Sequence, residues 1–258
     1  MVADVRVTRD GDVLRITLDR PERLNAAPPA MFDAIRDALA DLAGARAVLL
    51  TGEGRAFCSG ADVTDVQAAG DGPAATHHAL THHYNPCLQA IADLPVPIVS
   101  AVRGAAAGIG CSLALAADFC VASDDAYFLQ AFVNIGLVPD GGASWMLPRL
   151  IGRARAAEMM MLGERVPAAK ALDWGMIHKV VADDALDAEA FALAERLAAG
   201  PTRALGAMRR GLHDALELSY ADAMTREAES QRDMRGTADS MEGGMAFLQK
   251  RKPEFKGA

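Results

Sequence analysis

Asp140 stands in the segment GLVPDGGASW (136–145), between a proline and two glycines and just ahead of an apolar amphipathic run. A carboxylate placed there admits two readings. It can cap the helix that the run predicts, accepting amide hydrogen bonds that would lower its pKa. It can also take a proton from one carbon and return it to another, acting in turn as general base and general acid. Two small-residue loops precede it. One is the Ser59-Gly60-Ala61 turn of GRAFCSGADV (54–63), and the other runs through RGAAAGIGCSLALAAD (103–118) and feeds a helix whose first amides lack intrahelical acceptors. Small residues remove the side-chain barrier to close backbone approach. Facing each other, the loops could bind one developing oxyanion between two N–H groups, although either alone is equally a tight turn.

His77, His78, His82 and His83 form a second group. On a helix, 78 and 82 would share a face, but neither carboxylate nor cysteine completes a metal-binding set there, so a solvated or pocket-lining role is expected. Glu164 and Asp173 read as surface or turn residues near helix ends, and Trp145 reads as core.

The elements that must position these groups alternate along the chain. Val5, Val7, Leu14, Ile16 and Leu18 have a strand period interrupted at Asp10-Gly11, which predicts an opening β-hairpin. A helix should start at Pro28-Pro29, carry Met31, Ile35, Leu39 and Leu42, and end by Gly44. AVLLTG (47–52), LPVPIVSAVRG (94–104) and DFCVAS (118–123) read as strands, with a helix in GIGCSLALAAD (108–118). Residues 64–85 lose periodicity and are expected to be a variable excursion rather than core. Strands connected by helices predict α/β architecture with parallel crossovers. From about Asp183 helical patterns take over, and Met241, Met245 and Phe247 exceed what a small bundle needs, so part of that region is expected to face another subunit.

The 258 residues are 51% hydrophobic and 23% charged, which suits one main globular domain with an appendage. A net charge of −8 without a run of Lys and Arg before the C-terminal tail argues against a sequence-independent grip on nucleic acid. There is no apolar leader pattern at the start and no stretch of about 18 apolar residues, so no membrane association is expected. Cys58, Cys87, Cys111 and Cys120 show no Cys-x-x-Cys pairing, and reduced thiols in a cytoplasmic protein fit best.

Four blocks together resemble the enoyl-CoA hydratase/isomerase family, the crotonase superfamily: LDRPERLNA (18–26), GRAFCSGADV, the run from AVRGAAAGIGCSLALAADFCVAS through FVNIGLVPDGGASWMLPRLIGRARA, and SMEGGMAFLQKRKPEF (240–255). They fall in the family's order over nearly the whole chain. The resemblance implies a spiral of ββα units as core (1–195) and a C-terminal helical trimerisation region (196–258), in a homo-trimer or a hexameric dimer of trimers. It implies a CoA thioester as substrate with no further cofactor and no metal. The thioester oxygen would lie on the backbone amides of Ala61 and Ile109. The CoA would meet Arg23, Leu24, Asp62 and Val63, with Phe247 and Lys250 reaching in from a neighbouring subunit.

The family's hydratases divide their acid/base work between two glutamates, and the matching positions here are Ser112 and Phe132. Neither can replace a carboxylate. Asp140 matches a carboxylate used by non-hydratase members, and its block is most similar to the ring-1,2-epoxyphenylacetyl-CoA isomerase group. The resemblance therefore implies an isomerase that shifts a double bond, or rearranges an epoxide or oxepin, with Asp140 shuttling the proton. An atypical hydratase, a dehalogenase-like or hydrolytic enzyme with Asp140 as nucleophile and a histidine activating water, and a non-catalytic acyl-CoA binder are the alternatives.

Overall fold

A computed structural model describes residues 4–62 and 72–258. The hairpin forms as expected: β1 (Val5–Asp10) and β2 (Val13–Leu18) pair antiparallel around Gly11, whose φ of 58° suits glycine. α1 (Pro29–Ala40) follows, with proline in its first turn, and leads to β3 (Ala47–Gly52), which is buried throughout. β2, β3, β4 (Ile98–Val102), β6 (Phe119–Ser123) and β9 (Lys179–Val181) then run parallel, giving a six-stranded sheet in the order β1-β2-β3-β4-β6-β9. Strands β5 (Ala105–Ala107), β7 (Tyr127–Leu129) and β8 (Val166–Pro167) form a smaller second sheet. The pairs β4/β5, β6/β7 and β8/β9 thus each contribute one member to each sheet, and α4 (Ile109–Leu115) closes the unit begun by β4 and β5. The result is the α/β spiral of ββα units.

Side-chain alternation on the strands separates two apolar layers. Leu14, Ile16, Val48, Leu50, Ile98 and Val102 face the larger core together with α1 and α4. Val13, Leu49, Val99 and Val121 face the opposite layer, where α7 (Leu186–Ala198) lays Leu186, Ala190, Ala194 and Ala198 on the sheet at four-residue spacing. Small side chains at those positions let the helix sit close.

Before β4, the chain departs from the expected excursion. Residues 63–71 lie outside the described residues, but α2 (Pro73–Ala79), a π turn (Leu80–Tyr84) and α3 (Asn85–Ala92) make the histidine-bearing segment helical. Its core contacts are few and widely spaced, with Ala79, Tyr84, Cys87 and Ile91 buried, which is why the apolar period did not stand out. The expected strand over 94–104 is shorter in the structure, because Pro95 and Pro97 occupy its start.

After β7, a 3-10 turn (Ala131–Ile135) leads to α5 (Ala143–Leu162), and α6 (Ala168–Asp173) follows β8. The C-terminal region is helical, as read: α8 (Thr202–Asp214), α9 (Tyr220–Arg235) and α10 (Ala238–Leu248). Arg209 of α8 ties this region to the spiral. Its Nε lies 2.7 Å from both carboxylate oxygens of Asp118, and its Nη1 donates to the carbonyls of Ala92 and Leu94 at 2.9 Å. None of the helices among the described residues is long and apolar enough to cross a membrane. All four cysteines are buried and unbridged, and burial pushes their thiols up to about 12.

Arg209 is buried whereas Asp118 remains partly exposed, so losing the arginine acts chiefly by leaving the Ala92 and Leu94 carbonyls without their donor. Arg209→Ala should therefore destabilise the protein by about 2 kcal/mol, read as a lowered melting temperature.

Candidate active site

Two backbone loops meet at the centre of the molecule. Cys58 N–H donates to the Ala105 carbonyl, and Ala107 N–H donates to the Cys58 carbonyl, both at 2.9 Å. This stitch holds Gly60 against the Ala107 carbonyl. At Gly110 a side chain would be impossible, since a Cβ would stand 2.6 Å from the Cys58 carbonyl oxygen.

The stitch also determines where two amides point. Ala27 N–H donates to the Gly60 carbonyl at 2.8 Å, and Asp62 N–H donates to the Ala27 carbonyl at 2.9 Å, an isolated parallel bridge. A trans peptide puts its C=O and N–H on opposite sides, so holding the Gly60 carbonyl toward Ala27 turns the Ala61 N–H away from it. The same reasoning applies to Ile109. The Gly108 carbonyl points into α4, accepting from Cys111 N–H at 3.0 Å and Ser112 N–H at 3.2 Å, so the Ile109 N–H projects backward from the helix start. Gly108 adopts φ 54°, ψ −126°, a conformation that a side chain would resist, and the Phe132 ring lies over it.

Asp140 approaches α4 through its backbone. The Ser112 hydroxyl donates to the Asp140 carbonyl at 3.1 Å. Gly141 packs so closely on α4 that a Cβ would lie 2.5 Å from Ile109 Cδ1 and 2.8 Å from Ser112 Cβ, and its φ is 60°. The capping expectation is not met. The residue before α5 is Gly142, with no side-chain cap bond, and the Ala143 N–H takes the carbonyl of Asp140 rather than its carboxylate. Asp140 Oδ1 is buried and has no hydrogen-bond partner among the described residues. Burial therefore favours the neutral acid and pushes its pKa up to about 6, the reverse of the shift a cap would produce.

Beside Gly141 and Gly142 lies a cavity of about 570 Å³, walled by Leu88 of α3, Leu115 of α4, Trp145 and Met146 of α5, and Leu212 of α8. Trp145 thus lines a cavity wall instead of packing in the core. Its indole N–H donates to Glu217 at 2.9 Å, with the Arg149 guanidinium 4.2 Å over its ring, and these polar partners hold it half-exposed. Asp118, on the same wall, is occupied by Arg209.

The other predicted residues separate into groups. Arg23 and Leu24 sit on the loop beside the Ala61 strand, where the Leu24 carbonyl accepts from Ser59 N–H at 3.0 Å. That loop is braced by buried Asn25, whose side chain accepts from Arg20 N–H and donates to the carbonyls of Glu53 and Ala56, contacts with no signature in the sequence. The Asp62 carboxylate is buried and pairs with Arg20 at 3.1 Å. Val63 lies outside the described residues. Phe247 and Lys250 are exposed at the end of α10, with Phe247 83% accessible.

His78 and His82 do share a helix face, with rings stacked at 4.0 Å, while His83 Nδ1 meets the Asp33 carboxylate at 2.6 Å and His77 is exposed. Among the described residues, no three His, Cys, Asp or Glu side chains are grouped to hold a metal ion. Glu164 and Asp173 are exposed, as expected of surface positions.

Known proteins resemble this chain in sequence and in fold. A probable enoyl-CoA hydratase of Rhodobacter capsulatus is 44% identical over 94% of this chain and 93% of its own length. A 1,2-epoxyphenylacetyl-CoA isomerase of Escherichia coli is 40% identical over 95% of each chain. A crystal structure of an enoyl-CoA hydratase from Polaromonas sp. JS666 superposes with a TM-score of 0.93 at 34% identity, covering 98% of this chain and 99% of that one. Residues 8–258 match the enoyl-CoA hydratase/isomerase family from end to end, and the chain belongs to that family of acyl-CoA enzymes, with its crotonase fold.

Proposed function

We propose that this protein is an acyl-CoA isomerase in which Asp140 moves a proton along the acyl chain while the thioester oxygen is held by the amides of Ala61 and Ile109. The observation that carries this reading is the state of Asp140: a partly buried carboxylate without a capping role, its Oδ1 buried with no hydrogen-bond partner among the described residues, raised to about 6 by burial, and joined through its backbone carbonyl to Ser112 of α4. Removing a proton beside a thioester builds negative charge on the carbonyl oxygen. Two amides that already point outward stabilise that charge without reorganising, and one such donor is worth about 3 to 4 kcal/mol. A base whose pKa lies near the working pH can both accept and return the proton.

Ser112 and Phe132 support isomerisation over hydration. Ser112 is fully buried and engaged with the Asp140 backbone, and Phe132 covers Gly108, so neither supplies the second carboxylate that water addition uses in the family. Relatives with hydratase names and with isomerase names both occur at comparable identity, so the preference rests on these residues. The acyl group would extend toward the cavity beside Gly142. The CoA would follow Arg23, Leu24, Asp62 and Val63, and an oligomer built through residues 196–258 would bring Phe247 and Lys250 from a neighbouring copy. Exposed Met241, Met245, Phe247 and Leu248 on α10 fit such burial.

With a 3-enoyl-CoA in D2O, the protein should shift the double bond and place deuterium beside the thioester. Asp140→Asn should slow both by at least about 100-fold. Turnover unchanged in that variant would remove Asp140 from the chemistry, tight binding without any exchange would favour a non-catalytic binder, and an acyl adduct on Asp140 in mass spectra would favour a nucleophilic reaction.

In the wild type, kcat/KM should rise with pH through an apparent pKa of about 6, as the base form appears. Stability should move the other way. The folded pKa lies above the unfolded value of about 3.9, so Asp140 contributes stability that is complete below that value and lost as pH rises through 6. Asp140→Asn should therefore melt at about the wild-type temperature near pH 4 and gain a few degrees on it by pH 7.5.

A further inference from the structure

We propose that Tyr84 is a positioning residue for the Ala61 amide, acting through the backbone of Ala27. The inference rests on the reading of Ala61 as a donor to the thioester oxygen.

Tyr84 ends the π turn of the histidine-bearing helix and is almost fully buried. Its ring meets Phe32 of α1 edge-on, with centroids 4.7 Å apart. Its hydroxyl donates to the Ala27 carbonyl at 2.9 Å. Ring packing alone would be served by phenylalanine, and a buried hydroxyl is costly unless it is bonded. The bond to Ala27 satisfies the hydroxyl as a donor.

Ala27 is where that bond matters. Its carbonyl accepts from both Tyr84 and Asp62 N–H, and its own N–H donates to the Gly60 carbonyl. Every polar backbone atom of Ala27 is thus engaged, and the last of these bonds sets the plane of the Gly60–Ala61 peptide. A rotation of Ala27 turns that plane, and with it the Ala61 N–H. Stabilisation of an oxyanion falls steeply with misalignment, because the donor must meet the oxygen where charge develops. A π turn is also a distortion often found at functional sites. Here it directs two adjacent side chains at neighbouring targets: His83 at Asp33 of α1, and Tyr84 at Ala27 just before α1.

The test uses hexanoyl-CoA labelled with 13C at the thioester carbonyl. The bound carbon is followed by NMR, and exchange of the adjacent protons is followed in D2O. Wild-type protein should move the carbon downfield on binding. Tyr84→Phe keeps the ring and should show a clearly smaller shift with about tenfold slower exchange, while affinity for hexanoyl-CoA stays within about twofold. Asp33→Ala unties the same turn at His83 but leaves the hydroxyl, and should keep the wild-type shift. A full shift and wild-type exchange in Tyr84→Phe would overturn the assignment while leaving Ala61 as donor. Equal losses in both variants would overturn it too, by making Tyr84 one part of general packing. A wild-type protein that binds with no downfield shift would remove the Ala61 reading and the role of Tyr84 together.

Discussion

The trans planar peptide is the constraint on which this site depends. Two amides face outward because the carbonyls sharing their planes are committed elsewhere, Gly60 to Ala27 and Gly108 to the first turn of α4. Both amides are aimed through backbone bonds, which the Tyr84 hydroxyl reaches only by way of the Ala27 carbonyl. The orientation is therefore as firm as the elements behind it: a parallel bridge on one side and a helix start on the other. Gly110 follows from the same requirement, since a Cβ there would strike the facing Cys58 carbonyl, whereas Gly60 and Gly108 are called for by their φ values of 119° and 54°.

In the proposed reaction the acid/base side falls to a residue whose placement is equally indirect. Asp140 is held by its carbonyl, through Ser112 and Ala143, while Gly141 presses on Ile109 and Ser112. One oxygen of its carboxylate, Oδ1, is buried with no hydrogen-bond partner among the described residues. In a structural role such a group would be a liability, and unsatisfied buried polar atoms in native proteins call for a reason. The proposed proton shuttle supplies one, because strong stabilisation of the anion would make Asp140 a poor base. Ser112, which the family resemblance matches to a hydratase carboxylate, has its own place here as a support for the backbone of Asp140.

Much of the fold was legible along the chain. The hairpin, the buried run of β3, the helix behind the second small-residue loop and the C-terminal helices each carry a local period or a turn dipeptide strong enough to specify the element. The histidine-bearing helix did not, because its buried positions are few and the alanines, threonines and histidines between them carry no apolar period. Pro95 and Pro97 shortened a strand that hydropathy alone extended. Trp145 was assigned to the core on its type, yet its indole N–H and the nearby Arg149 and Glu217 hold it at a cavity wall.

By itself, the sequence determined the family resemblance, the order of the elements, and the exclusion of glutamate from positions 112 and 132, since these depend on residue identity and spacing. Only the tertiary structure decided what Asp140 does with its oxygens. A cap and a buried acid have the same local sequence, and they differ in whether nearby N–H groups reach the carboxylate. Here Gly142 occupies the cap position in a left-handed conformation, and the Ala143 amide turns to the Asp140 carbonyl. The same holds for Asn25, Ala27 and Tyr84. Their contacts join segments about 30 to 60 residues apart, and such pairings exist only once the sheet and α1 have brought them together.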